Sequence, residues 1–181
     1  MRLCGQQAVW NYEEENGILT IQGVGAMEDH TEPEQVPWNS LMQEIKVVVI
    51  RDGITTVGDY AFAGCSNLQE VTLPGSVEIV GVFSFKGCTG LREIVIPEGV
   101  RVLASKAFQF CSALKKVYLP STLIDVDMRA FGKCESLEEV FYQGSEEQWE
   151  QIIHESRHTL YPICDETVDN VRGILNIKDY F

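Results

Sequence analysis

The chain has 181 residues, 45% of them hydrophobic and 23% charged, and a net charge of −13. That is enough apolar content for a real core, and no apolar run reaches the length of a membrane span, so insertion into a membrane is not expected. A surface this acidic repels phosphate backbones and anionic lipid headgroups, which argues against nucleic acid as a partner. With three histidines and no glycine-rich phosphate cradle, few catalytic constellations have the residues they need.

The first residues, "MRLCGQQ", carry no apolar core of a signal peptide. On that reading the chain is cytosolic, or a mature or truncated piece of an exported protein. Residues 1–44 read as an N-terminal cap. Strands are expected over 8–12 and 18–21, joined by "ENG", an Asn-Gly turn signal. Trp10 and Trp38 are expected to cover the coil that begins at residue 45, with sugar stacking as the alternative role.

From residue 45 the sequence repeats every 23 residues. Phe62, Phe85, Phe108 and Phe131 form one column, and Cys65, Cys88, Cys111 and Cys134 another. Leu68, Leu91, Leu114 and Leu137 keep the same step, as do Val71, Ile94, Val117 and Val140. Four whole units span 45–67, 68–90, 91–113 and 114–136, and a fifth begins at Leu137 and breaks off near Gly144. An unbroken period in so many columns predicts a solenoid. In each unit a stretch such as "LQEVTLP" alternates, predicting a short strand that its proline ends. "SVEIV" predicts a second side, and "FSFKGC" a return turn with Phe and Cys inward. One coil cannot bury its own apolar edge, whereas stacked coils can. The cysteine column lacks the close C-x-x-C pairs of metal sites, so buried free thiols are expected, with metal or redox chemistry as the alternative. Cys4 and Cys164 fall outside the column.

Residues 137–160 combine the partial fifth repeat with a capping helix. Ser145 followed by Gln148 is a capping-box pattern, and Trp149, Ile152 and Ile153 would form one buried stripe. The same helix holds "HESRH", with His154, Glu155 and His158 at the H-E-x-x-H spacing that binds catalytic zinc in metalloproteases. On a wheel of about 100° per residue from Trp149, His154 falls near ~140° and His158 near ~180°, away from the capped coil. Arg157 stands between Glu155 and His158, and Asp165, Glu166 and Asp169 have no second lobe to hold them as a third ligand. The motif therefore reads as a solvated helix face, with a zinc-dependent hydrolase as the alternative. No catalytic residue, metal or cofactor is assigned. The tail, 161–181, gives a weak hairpin signal in "VDNV", "RG" and "ILNI".

Two columns on the repeating strands point outward. One is Val47, Glu70, Glu93, Lys116 and Glu139; the other is Val49, Thr72, Val95, Tyr118 and Phe141. The second is an apolar stripe growing aromatic toward the C-terminal end, which marks a contact patch unless it merely reflects the strand preference for branched and aromatic residues.

The pattern L-x-x-[VI]-x-[LI]-P-x-x-V-x-x-[VI]-x-x-x-[AS]-F-x-x-C resembles the BspA-like leucine-rich repeat family of bacterial surface proteins. "LTIQGVGAM", "VPWNS" and "IKVVVIRDGITTVGDYAFAGC" resemble that family's N-terminal cap and first repeat, and "VFYQGSEEQWEQI" its closing segment. Arg51 and Gln143 depart by replacing the proline, and Ser84 by replacing the alanine before Phe85. The resemblance implies an α/β leucine-rich repeat fold: a right-handed solenoid with parallel strands on its concave side, short helical or irregular turns opposite, and caps at both ends. It also implies an extracellular or cell-surface setting, and binding or adhesion to a protein or glycan rather than catalysis. The expected binding residues are Val49, Glu70, Thr72, Glu93, Val95, Lys116, Tyr118, Glu139 and Phe141. A structural spacer cut from a longer surface protein is the remaining alternative.

Overall fold

The computed structural model describes residues 2–127, 129–158 and 175–177, the side chains of 153–158 and 175–177 excepted. It is a parallel-strand solenoid of about four turns with little helix. The chain enters through the antiparallel strands Arg2–Leu3, Ala8–Glu13 and Ile18–Gly23. The hairpin between the last two turns at Gly17, whose φ of 68° suits a residue without a Cβ. Ile18–Gly23 then starts the solenoid by pairing in parallel with Val47–Ile50, which pairs with Glu70–Thr72. The same side continues as a second parallel sheet of Glu93–Val95, Lys116–Leu119, Glu139–Tyr142 and Leu175–Ile177. No ladder joins the strand at 70–72 to the strand at 93–95.

The expected second side is an unbroken ladder of short strands: Gly25–Ala26, Ile54–Val57, Ile79–Val80, Val102–Leu103 and Asp125–Val126. The return turns form a third side without strands. There, amides of one coil donate to carbonyls of the next: Phe62 N–H to Ser84 at 2.7 Å, Gly64 to Lys86 at 2.7 Å, Phe108 to Ala130 at 2.7 Å and Phe110 to Gly132 at 2.8 Å. Left-handed residues aim these amides. Tyr60, Phe83 and Lys106 occupy one left-handed position, with φ of 60°, 56° and 58°. Gly64, Gly87, Phe110 and Lys133 occupy the next, with φ from 61° to 80°. A side chain in that region costs about 1–2 kcal/mol, which the buried backbone hydrogen bonds across coils offset.

The repeat columns become stacks in the core. Phe62, Phe85, Phe108 and Phe131 lie ring on ring, with centroids 5.1 to 5.3 Å apart and planes within 20°. Trp38 extends this spine at 5.4 Å and closes it by donating its indole N–H to the Ala61 carbonyl at 2.8 Å. Trp10 meets Trp38 edge-on at 5.8 Å. Both indoles are buried, so they cover the first coil, and the sugar-stacking alternative falls. The thiols form a parallel stack. Cys88, Cys111 and Cys134 each donate to a carbonyl of the preceding coil, on Phe62, Phe85 and Phe108, at 3.1 to 3.3 Å. All described cysteines are free.

At the C-terminal end, the helix Glu146–His158 starts with the expected capping box. Gln148 N–H donates to Ser145 Oγ, and Ser145 N–H donates to Gln148 Oε1 at 2.8 Å. Trp149 and Ile152 are buried. The side chain of Ile153 lies outside the described residues. So does most of the expected tail hairpin, although its last segment, Leu175–Ile177, joins the ladder in parallel beside Glu139–Tyr142.

Ser84 has consequences for stability. Its hydroxyl is 0% exposed and has no hydrogen-bond partner. The equivalent positions hold Ala61, Ala107 and Ala130, all buried. Ser84→Ala therefore removes an unsatisfied buried polar atom without opening a cavity. It should stabilise the chain by about 1 kcal/mol, raising Tm by roughly 2–4 °C in a calorimetric scan. A lower Tm would mean that the hydroxyl has a partner in solution.

Candidate functional site

The candidate site is the outer face of the strands at 47–50, 70–72, 93–95, 116–119 and 139–142. Alternation in a strand sends neighbouring side chains to opposite faces. Val48, Ile94, Val117 and Val140 accordingly face the core and are buried, while Val71, at the joint between the two sheets, is half-buried. The two outward columns are aligned by backbone register. Val47 sits opposite Glu70, and Glu93, Lys116 and Glu139 lie in line across three strands. Val49 sits opposite Thr72, and Val95, Tyr118 and Phe141 lie in line.

The charged column is organised at its C-terminal end. Lys116 Nζ lies 2.7 Å from Glu139 Oε2. The Glu139 carboxylate, by hydrogen bond and then by charge, holds the Lys116 ammonium above its ordinary value. Glu70 and Glu93 remain exposed acids. Beside this column, Lys115 pairs with Glu138 at 3.2 Å, more than half exposed on both partners.

The apolar column divides. Val95 is 54% exposed, which is high for a branched aliphatic residue in a paired strand. Thr72 is exposed, and Val49 and Tyr118 are half-buried. Tyr118 stacks on Phe141 with ring centroids 4.8 Å apart and planes at 16°. Phe141 itself is only 7% exposed. That corrects the expectation of a stripe that faces water along its whole length. The strand Glu139–Tyr142 is paired on both sides, by Lys116–Leu119 and by Leu175–Ile177, and is not an edge. Phe141 therefore supports Tyr118 from below, and the accessible apolar surface at the C-terminal end of the column is Val95 with the open part of Tyr118.

Other places yield less. A cavity of about 780 Å³ at the N-terminal cap is lined by Gly5, Gln6, Gln7 and residues 24–28, with Glu28 as its one titratable side chain. His154, Glu155 and His158 do fall within the capping helix, but their side chains lie outside the described residues. In the thiol column Cys65, Cys88 and Cys111 are buried and Cys134 is half-buried, and burial pushes Cys65 up to about 12; outside the column, burial and then the nearby Glu28 carboxylate push Cys4 up to about 12.

Comparison with known proteins agrees with this geometry. A model of the BspA type leucine rich repeat region matches residues 40–160 in 6 copies. No curated protein matches the chain. Among solved structures, a leucine rich cell surface protein from Faecalibacterium prausnitzii superposes with a TM-score of 0.66 at 23% identity, covering 82% of this chain and 41% of its own. A leucine-rich repeat protein from Eubacterium ventriosum gives 0.60 at 23% identity, covering 80% of this chain and 44% of its own. The T. pallidum leucine rich repeat protein gives 0.59 at 19%, covering 74% and 67%. The chain thus spans less than half the length of the first two.

Proposed function

We propose that this chain, which belongs to the BspA-type leucine-rich repeat family, is a non-catalytic binding module working through its sheet face, outside the cell. The observation that carries the reading is the outward apolar column within a parallel sheet: Val95 at 54% exposure beside Tyr118, which is braced by the stacked Phe141. A rigid, half-open aromatic side chain next to an exposed aliphatic one gives a contact surface at low entropic cost. Glu70, Glu93 and the Lys116–Glu139 pair supply a polar rim. The cell-surface relative from Faecalibacterium prausnitzii supports an external setting. The partner is a protein or glycan met outside the cell.

The test is a binding screen against purified extracellular matrix proteins and glycans, repeated with Val95→Asp/Tyr118→Ala. A partner of this face should lose at least tenfold in affinity, the scale of about 1.4 kcal/mol, while Tm moves by no more than about 4 °C. A partner that binds the double variant as tightly as the parent would place the working surface elsewhere.

A further inference from the structure

The return turns carry a second surface, away from the sheet face. On a chain with a net charge of −13, these turns gather cations and aromatic rings, Tyr60 and Phe83 half-buried and Phe110 exposed. Phe83 is central. Lys86 Nζ lies 4.8 Å from the centre of its ring and Lys106 Nζ lies 5.1 Å from the same centre. Tyr60, one coil back, packs against Phe83 at 4.8 Å. One coil on, Phe110 is 48% exposed, and Lys133 follows it in the same column.

Two ammonium groups held on one ring repel each other, and the ring quadrupole offsets only part of that. Among the described residues, no carboxylate lies within ion-pair distance of Lys86, Lys106 or Lys133. The neighbouring Arg129 does have one, Asp127, at 3.7 Å. The three lysines therefore concentrate positive charge on the turns without an ion-pair partner among the described residues.

The shape selects among anions. The 23-residue period places cations and rings on successive coils, about 4.8 Å apart at the spacing of paired strands, in a row along the solenoid. An extended polymer with repeated negative charges fits a row better than a compact anion does. The exposed ring of Phe110 between the charges suits the C–H face of a sugar ring, as a flat apolar platform. We propose that Tyr60, Phe83, Lys86, Lys106, Phe110 and Lys133 form a binding stripe for an acidic polysaccharide.

Heparin is the probe, in a biosensor titration of the full chain at about 50 mM salt, where screening is weak. The wild-type chain binds despite its overall negative charge, and binding fades as salt is raised toward about 0.5 M. Lys86→Ser/Lys106→Asn/Lys133→Asn loses at least tenfold. Asparagine at the two left-handed positions tolerates their backbone, so the variant keeps its fold, which its Tm checks. Lys46→Ser/Arg92→Ser/Lys115→Ser removes the same charge elsewhere and stays within about twofold of wild type. Phe110→Asn, which changes no charge, loses at least threefold through the missing platform. No binding by the wild type, equal losses in the two triple variants, or an unchanged Phe110→Asn would overturn the proposal. Tighter binding to polyglutamate than to heparin of equal charge would also overturn it, in favour of an acidic protein segment.

Discussion

In reducing buffer the chain is expected to unfold between about pH 9.5 and about pH 11, as stability drains away from about pH 8.5 upward. The cause is the thiol stack together with Cys4. Cys4, Cys65, Cys88 and Cys111 are at most 1% exposed and Cys134 is half-buried, and all five have raised pKa values in the fold. In the unfolded chain a thiol releases its proton near about 8.5. Below that pH both states hold the proton, so the thiols do not affect the balance. Above it the unfolded chain ionises while the fold keeps its thiols neutral, and stability falls until the folded values are reached. Each thiol contributes a slope of about 1.4 kcal/mol per pH unit, so five contribute about 7. A domain stable by about 5–15 kcal/mol loses that within about one to two pH units. Tyr12 and Tyr142 are raised as well, first by burial, and add to the fall at still higher pH.

Urea titrations at several pH values check this. Stability should be level up to about pH 8 and then drop steeply. Cys88→Ala/Cys111→Ala should start lower at neutral pH by about 1–3 kcal/mol, for the lost sulfur packing. Above pH 9 its slope should be about three-fifths that of the parent, three raised thiols remaining of five, so the two curves converge. Equal slopes would show that other groups drive the alkaline transition.

The thiol stack was legible in the sequence because its period is the period of the coil. Any residue that must lie inward on every turn recurs at 23, and Phe62, Cys65 and Leu68 do so together with their repeats. The capping box at Ser145 was legible because its two hydrogen bonds join residues three apart. The outward columns were legible as register but not as exposure. Phe141 has the same alternation as Val95, yet one is buried and the other open. The difference comes from the strand Leu175–Ile177, more than thirty residues away, pairing beside Phe141. The turn stripe was not legible at all. Its column runs Tyr60, Phe83, Lys106, Arg129, which shows neither hydrophobic periodicity nor a charge run. Nothing in side-chain propensity foretells that Phe83 and Lys106 take a left-handed conformation and so share a ring face.

The aromatic spine sets the second large effect. Phe85→Ala is expected to cost about 3–5 kcal/mol, near half the stability of an ordinary domain. Phe85 is fully buried and stacks on both sides, 5.1 Å from Phe62 and 5.1 Å from Phe108. The ring has close-packed neighbours above and below, so the site cannot collapse, and the cavity term adds to the lost transfer energy. Each stack adds about 0.5–1.5 kcal/mol beyond burial. Position along the solenoid then matters, because each coil touches only its neighbours. Phe85 sits on the coil at 68–90, whose strand Glu70–Thr72 has no ladder to the strand Glu93–Val95. On the side of the outward columns that joint is the weakest of the interfaces between coils, and the second-side ladder of Ile79–Val80 with Val102–Leu103, the spine and the turn hydrogen bonds carry it. Phe85→Ala should therefore lower the urea m-value as well as the midpoint, as the N-terminal and C-terminal coils begin to unfold separately. Phe131→Ala lies past that joint and has one spine neighbour among the phenylalanines, Phe108 at 5.3 Å. It should cost less and leave m unchanged. If the two variants lose equal stability at equal m, the solenoid unfolds as one block and the missing ladder has no energetic consequence.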